Sequence, residues 1–580
     1  MTSDPQLSAG TRHRLHVPRG GRVVGTCILT ALIATWPLAA QLKSAIPLGT
    51  DPEATVPLFT LWTLWWTADR AAHGFAAYWD APFFHPVRGT LAFSEPQILT
   101  GLMVAPLWAT PATPALIYNL AFLAFLTLNG IFAYRLARSL AIRRLPALLG
   151  GVLAVNLPFV AKVHGVLPLI PIFGMLWALE GLVRFKTNPS RGHAAWAAAG
   201  FLVQFLVSEQ MALLFAPLAA AAGLLSVIRQ PFLVRPCLRL AVAALLALLV
   251  GRVAVYPAQK VREQAGLARS ETVVRALSAS PRDFLIRPAT ALLPFPRRAE
   301  PMDGDTAGLF PGVMLSMLAV VGIACGIRLR SQRAWTLLFV GGIVMGTVAA
   351  LGLNLVIGGL QPFATLRALV PAIAQLRSPY RFAVVAQACL LPLAALALAS
   401  MEKLLSYTGG RTLVTCVPLL AAAENLSIPE ALRSVPPTPA TAWTSWLRVR
   451  PTSVVIAHIP FPAGMHVSFY EVEAWRLFAQ MHHEKRMVNG YSSFFPPAYT
   501  NLQLAMARDF PNRLLLCTLM SAYRANTLVV DQNWIHEHEP VLNAVVARGL
   551  MQPIYADGDV RIYSLVPDAA CIEFDTRSGG

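Results

Sequence analysis

Apolar residues in this chain fall into long runs separated by short polar segments. Many runs approach 20 residues, about the length a helix needs to cross a hydrocarbon core. They lack the strict alternation of a membrane-barrel strand, so helices are predicted. Eleven spans are expected, at residues 23–41, 115–135, 145–162, 166–184, 194–208, 210–228, 238–257, 309–327, 334–356, 382–400 and 411–424. Residues 98–110 are apolar but short, and Pro96, Pro106 and Pro111 punctuate them. They are expected to be re-entrant or interfacial rather than a full span. After Asn425 the pattern changes. PEALRSVPPTPATAW is Pro-rich and predicts a linker over 425–440. Beyond it, SVVIAHIPF and TLVVDQNW are strand-like, and DGDVRIYSLV reads as a turn and a final strand. PAYTNLQLAMARDF, NRLLLCTLMSAYRAN and EPVLNAVVARGL have helical spacing. The predicted fold is mainly α: a polytopic membrane helix bundle of about 11 spans over 23–424, with a small α/β domain at 441–580.

Composition strengthens this reading. The chain is 56% hydrophobic and 13% charged, where a soluble domain carries about 25% charged residues. The formal net charge of +18 would suggest nucleic acid on a soluble protein. Here the cations lie in short loops between spans, with no aromatic-interleaved basic patch, so no nucleic-acid partner is expected. With residues 1–22 as a cytoplasmic tail, the stretches predicted inside hold 19 Lys/Arg and two acids, Asp4 and Glu402, as positive-inside sorting requires. The outside loops are then 42–114, 258–308 and 358–381, and the C-terminal domain is outside the membrane. A signal peptide is the competing reading of the N-terminus. The run from Val23 to Leu42 is long for one, and WPLAAQLKSAIPLG is a poor cleavage site, so a retained span is expected. Five of the seven cysteines lie in or beside apolar runs and are expected to pack there. Cys517 and Cys571 could pair only in an oxidising compartment, and pairing is not the expectation. The doublet His482–His483 is expected in a solvated turn, since no ligand set converges on it in sequence.

The chemistry-bearing candidates sit on the outside face. GTDPEATVPLFTLWTLWWTADR places Asp51 and Glu53 just past the first span and before a tryptophan-rich segment. Its rings suit an interfacial helix with tryptophan at headgroup depth. The acids are either loop residues, with Asp51 capping the next helix, or a general base or metal-binding pair at the membrane surface. The same loop carries His85, Asp80 and Glu95, which could complete an acid cluster or be structural. Loop 358–381 has Arg367, Arg377 and Arg381 and no acid. An all-basic loop outside departs from the positive-inside rule and asks for an anionic partner. Arginine forks suit phosphate, while snorkelling anchors are the bland alternative. His164, in the turn VAKVHGVLP, is a weaker candidate. No P-loop, GxGxxG after a strand, HExxH or GxSxG occurs.

Taken together, several stretches resemble bacterial membrane glycosyltransferases of the GT-C superfamily. These are Asp51-Pro52-Glu53 outside span 1, the juxtamembrane PLFTLWTLWWTADRAAHG, FFHPVRGTLAFSEP, YNLAFLAFLTLNGIFAYRLARSL, DTAGLFPGVMLSMLAVVGI, LRSPYRFAVV and VNGYSSFFPPAY. The likeness runs over nearly the whole chain, and its mechanistic core is the first-loop acid. It implies inverting transfer of a sugar from a polyprenyl-phosphate-linked donor to a glycan, lipid or protein acceptor, at the periplasmic face of a bacterial inner membrane. Asp51 would be the base or orient the acceptor, with Glu53 the second choice, and Arg377 and Arg381 would hold the donor phosphate. His85, Asp80, Glu95 and His164 would be further substrate-binding residues. The resemblance permits a divalent metal, Mg or Mn, on Asp51 and Glu53 without requiring one. Two other classes stay open: a lipid-glycan transporter or flippase, and a non-catalytic envelope-assembly protein.

Overall fold

The computed structural model describes residues 19–228, 234–293, 306–404, 408–567 and 571. The apolar part is built from α1 (Arg19–Ala34), α2 (Thr55–Ala72), α3 (Ile98–Trp108), α4 (Pro114–Ser139), α5 (Arg144–Val155) and α6 (Pro158–Lys162). It continues through α7 (Phe173–Thr187), α8 (Arg191–Val207), α9 (Glu209–Val227), α10 (Val234–Gln264) and the short α11 (Glu271–Ala276). Then come α12 (Val313–Arg328), α13 (Arg333–Ala350), the short α14 (Pro362–Leu369) and α15 (Pro371–Ala374), α16 (Ala383–Leu404) and α17 (Thr408–Glu424). Among the described residues seven helical stretches are long and apolar enough to cross a membrane. They contain α4, α5 with α6, α7, α9, α10, α13 and α16. Each of the eleven expected spans meets a helix, but the apolar segments of α1, α12 and α17 are shorter, and α8 has 17 residues. The short α3 packs on α2, where a Cβ on Gly101 would come within 2.4 Å of Thr67.

Two expected spans are broken. Residues 145–162 split into α5 and α6 at Asn156–Leu157, and 166–184 divide into a 3-10 turn at Leu167–Leu169 and then α7. Pro158, Pro168 and Pro171 cannot donate to a helical ladder, and backbone freed inside a membrane must find partners. Side-chain amides supply them. Gln387 accepts from the Phe159 N–H at 2.9 Å. Asn129 donates to the Ile170 carbonyl and accepts from the Ile172 N–H, each at 2.9 Å. Gln204 does the same for Pro171 and Met175. Glu424 ties together three segments near the α5–α6 break, beside Ala422, whose carbonyl accepts from Asn156 at 2.6 Å. The Glu424 carboxylate accepts from the Val313 and Met314 N–H groups that open α12 and pairs with Arg287.

Two short strands lace the ends of this region together. β1 (Ala45–Pro47) follows α1, and β2 (Leu432–Ser434) follows α17; they pair antiparallel, Ile46 against Arg433. The segment 425–440, expected as a linker, is therefore pinned to the loop that follows α1. The remaining elements are α18 (Ala442–Arg448), β3 (Val455–Ile459), α19 (Glu471–His483), β4 (Arg486–Met487), α20 (Pro497–Asp509), α21 (Arg513–Ser521), β5 (Thr527–Asp531), α22 (Gln532–Ala547), β6 (Met551–Ala556) and β7 (Val560–Leu565). They form a five-stranded sheet in the order β4-β3-β5-β7-β6 with helices around it. β3 runs parallel to β4 and β5, and β7 is antiparallel to β5 and β6.

Three expectations change here. Two of the tryptophans of α2 face protein instead of an open interface: Trp62 and Trp66 are buried and stack at 5.6 Å, and Trp62 meets Phe83 at 5.2 Å. Sequence pattern distinguishes an apolar face from a polar one, not a lipid neighbour from a protein one. His482 and His483 end α19 instead of lying in a turn, and His483 is buried with Lys485 N–H donating to its Nδ1. Cys517 and Cys571 form a disulfide, with Cα atoms 5.2 Å apart.

Candidate functional site

The turn carrying the acids is fixed from behind by the break after α6. Gly49 has φ +64°, a conformation that favours glycine, and a Cβ there would sit 2.7 Å from the Lys162 carbonyl. That carbonyl accepts from the Thr50 N–H at 3.1 Å. Gly49 N–H donates to Glu430 Oε1 at 3.1 Å, and His164 Nδ1 lies 2.7 Å from Glu430 Oε2. Gly165 is equally constrained, since a Cβ would meet the Leu48 carbonyl at 2.3 Å and Asp51 Oδ2 at 3.2 Å. Asp51 is not the N-cap of α2; that position is Ala54, which makes no side-chain cap bond.

Asp51 and Glu53 face an open cleft with about 790 Å³ of empty space, the open solvent at its mouth included. Arg377, Arg381 and Lys162 line the same cleft, with Ser378, Tyr380, Val467 and Tyr491. The structure thus brings the acids and the basic loop to one cavity. Arg381 is held by Gln210, donating from Nη1 to Oε1 at 2.6 Å. Lys162 donates to the Ala307 carbonyl and lies 5.6 Å from the Tyr380 ring centroid. Val467 and Tyr491 come from loops that follow β3 and β4. Tyr491 stands edge-on to Phe59 of α2 at 5.4 Å, and Val467 accepts through its carbonyl from Thr55 Oγ1 at 3.1 Å.

Neither a protein-family model nor a curated protein matches this chain. Solved structures do. The arabinofuranosyltransferase AftD from Mycobacteria is similar with a TM-score of 0.59 at 15% identity, over 95% of this chain and 40% of that one. The chain shares the fold of the part of AftD that it covers. It spans about two fifths of the AftD chain's length. The oligosaccharyltransferase AglB from Archaeoglobus fulgidus scores 0.46 at 12% identity, covering 88% of this chain and 69% of that one. ArnT from Cupriavidus metallidurans scores 0.38 at 14% identity, over 95% and 98%. Neither of these two adds to the fold assignment.

Within this fold the remaining sequence candidates lie apart from the cleft lining. His164 is buried behind it, against Glu430 and edge-on to Phe122 at 5.0 Å, so it braces the turn that bears Asp51. Asp80 accepts from the Gly89 N–H at 2.8 Å, bracing the loop between α2 and α3. His85 sits where that loop docks beside β4, its N–H donating to the Met487 carbonyl at 2.9 Å. Burial, then Arg486 and Arg524, hold its imidazole below the ordinary value, which keeps it neutral. Glu95 accepts from the Gln210 N–H at 3.2 Å, one residue removed from Arg381. Burial first, then Glu209, raises its carboxyl to about 7. Lys162, Tyr491, Gln210 and Glu430 were unmarked by the sequence pattern. Lys162 falls inside an apolar run, and Tyr491 is some 440 residues from Asp51 by chain position. The one available signal was a lysine at the outer end of an expected span. Among the described residues no group of three or more His, Cys, Asp or Glu side chains is disposed to hold a metal. Asp51 and Glu53 are the two carboxylates at the cleft.

Proposed function

We propose that this chain is an inverting membrane glycosyltransferase. It moves one sugar from a polyprenyl-phosphate-linked donor to a glycan, lipid or protein acceptor. The observation that supports this reading is a single cleft lined by two carboxylates, two arginines and a lysine. In the proposed step Asp51 takes the proton from an acceptor hydroxyl as its oxygen attacks the anomeric carbon. The bond from that carbon to the phosphate oxygen breaks, and the phosphate leaves with the electron pair. Arg377 and Arg381 hold the departing anion, charge-assisted donors aimed where negative charge develops. Glu53 is the second choice for the base.

A divalent Mg or Mn fits the residues present. Such ions take one or two carboxylates and complete their shell with phosphate and water, so Asp51 and Glu53 would hold it, and it would add Lewis-acid stabilisation of the leaving phosphate. His85, Asp80, Glu95 and His164 serve this reading as braces of the loops that carry the site. The Cys517–Cys571 disulfide supports an oxidising location for the C-terminal region. With the arginine-rich loops expected inside, that favours the periplasmic face of a bacterial inner membrane.

Asp51→Asn keeps the size and polarity of the side chain and removes the base. Transfer should fall at least about 100-fold, with thermal unfolding and donor binding unchanged. Full activity in a folded Asp51→Asn protein would remove Asp51 from the mechanism. The transporter alternative is weakened by the sealing of both helix breaks with side-chain amides, which leaves fewer open carbonyls for a coupling ion. Sugar transfer measured against uptake in vesicles separates the two.

A further inference from the structure

Helix α13 ends at Ala350, but the uncharged stretch that contains it does not. No residue between Arg333 and Arg367 is charged. Along α13, Leu337, Val344 and Val348 form an exposed apolar stripe at helical spacing. A span whose neighbour is lipid carries such a face. The chain then leaves the helix and stays both apolar and exposed. Val356, Ile357 and Leu360 are 55%, 60% and 72% exposed. A contiguous apolar surface of this kind marks an interaction site.

The exposed tip is a closed turn. Ile357 and Leu360 exchange backbone bonds, each N–H donating to the other's carbonyl, at 2.9 and 3.0 Å. Gly358 and Gly359 make the turn at φ +56° and +83°, the region that favours glycine. A Cβ added at either glycine would meet no atom of the described residues within 4 Å. The backbone groups of Ile357 and Leu360 are thus satisfied within the tip itself, as apolar surroundings demand. The next element, α14, turns its polarity the wrong way for water. A surface helix in water sends its charges outward. Here Phe363 is buried and Arg367 faces inward, donating from Nη2 to the Arg269 carbonyl at 2.9 Å. Leu366 and Leu369 are exposed, the latter by 75%. The same loop runs on to Arg377 and Arg381, so it lies at the cleft end of the bundle.

We infer that residues 355–369 are seated in the membrane surface beside the cleft. The tip from Val356 to Leu360 enters the acyl region of the adjoining leaflet. Helix α14 lies at headgroup depth, with Leu366 and Leu369 toward the acyl chains. The occupant of this surface is bilayer lipid, because the tip continues the stripe of α13 without an intervening charge and starts within a few residues of the end of that span. A protein partner would be met by a polar rim around the apolar centre, whereas the exposed side chains from Val356 to Leu366 include no charged group. The depth of the loop is then set by lipid, and the basic wall of the cleft is placed relative to the bilayer surface. This inference is independent of the glycosyltransferase reading, and either can fail alone.

The test attaches a nitrobenzoxadiazole fluorophore to introduced cysteines in the full chain, reconstituted in phosphatidylcholine vesicles. Ile357→Cys, Leu360→Cys and Leu369→Cys report on the loop. Val344→Cys on α13 is the lipid reference, and Val449→Cys, at the end of α18, is the water reference. Wild type taken through the same labelling gives the background of the native free cysteines, and an unchanged melting temperature shows that each variant is folded. The loop labels should be quenched by nitroxide-bearing lipid, as at Val344→Cys. Their quenching by aqueous iodide should be about tenfold weaker than at Val449→Cys, since an ion is kept out of hydrocarbon. Adding Leu360→Asp to Ile357→Cys should restore iodide quenching, because the new charge draws the tip into water. Iodide quenching of the loop labels equal to that at Val449→Cys overturns the inference. Shielding from both iodide and nitroxide lipid means that protein, such as a second copy of the chain, covers the tip, and overturns it equally.

Discussion

Single residues around the cleft do two kinds of work. Asp51, Glu53 and the arginines face the cavity, while Glu430, His164, Gln210 and Glu95 set where those side chains stand. Asp51 was legible in the sequence because Gly49 and the end of an apolar run mark a turn outside the first span. Glu430 was not, because nothing local ties it to a glycine 381 residues earlier. Glu95 gives this level its test. Its carboxyl is raised from about 4.5 to about 7, by burial and then Glu209, against opposing bonds from Ser208 and Gln210 and the charge of Arg262. A raised acid is bound to its proton in the folded state at pH values where the unfolded chain has already released it. Its contribution to stability is therefore full below the ordinary value near 4.5 and is lost as pH rises through 7. Glu95→Gln keeps an acceptor for the Gln210 N–H and cannot ionise. The variant should lose less stability than wild type between those two pH values and be the more stable of the two above 7. Parallel melting-temperature profiles would show that Glu95 is not the group responsible.

At the level of elements, length and apolarity located helices well. What they missed were the breaks within them, because Leu, Val, Ile and Phe surround Asn156 and Pro168 as densely as any unbroken stretch. Proline marks where a ladder can stop but not which distant side chain will satisfy the freed groups. Gln387 of α16 shows the cost of the break. It accepts from the Phe159 N–H at 2.9 Å and donates to the Leu309 carbonyl at 3.0 Å, both buried. Gln387→Leu conserves volume approximately and leaves both backbone groups unpaired. It should destabilise the protein by about 1–3 kcal/mol, read as a lowered melting temperature in detergent. An unchanged melting temperature would mean that water replaces the amide and that the break is solvated. The tryptophans of α2 teach a related lesson. Their spacing announced a wet-edged helix, but Trp62 and Trp66 are covered by protein.

The whole molecule explains that cover and leads to a prediction about its parts. The loop between α2 and α3 and the sheet region are joined by a continuous set of bonds. Residues 82–89 run beside β4, with Met487 N–H bonded to the Pro82 carbonyl at 2.9 Å and Phe84 N–H to the Asn489 carbonyl at 3.2 Å. Gln480 of α19 adds a bond to the same Pro82 carbonyl at 2.7 Å. Phe83 and Phe84 are buried there, and Phe84 packs against Tyr499 at 4.6 Å. The change of composition after Asn425 suggested a separable C-terminal unit on a linker. Sequence could not reveal the joint, because its bonds end on backbone groups some 400 residues away. A chain ending after residue 440 keeps β1, β2 and Glu430, so the Asp51 turn retains its own brace. It loses Val467 and Tyr491 from the cleft and uncovers Phe83, Phe84 and the face of α2 on which α19 rests. Exposed aromatic surface of that kind, outside any lipid, favours aggregation. The truncated chain should therefore elute as aggregate on size exclusion in detergent and bind no lipid phosphate. A monodisperse fragment that bound donor lipid as well as the full chain would show that the sheet region is an independent module, and that the cleft needs nothing beyond the helices and the first outside loop.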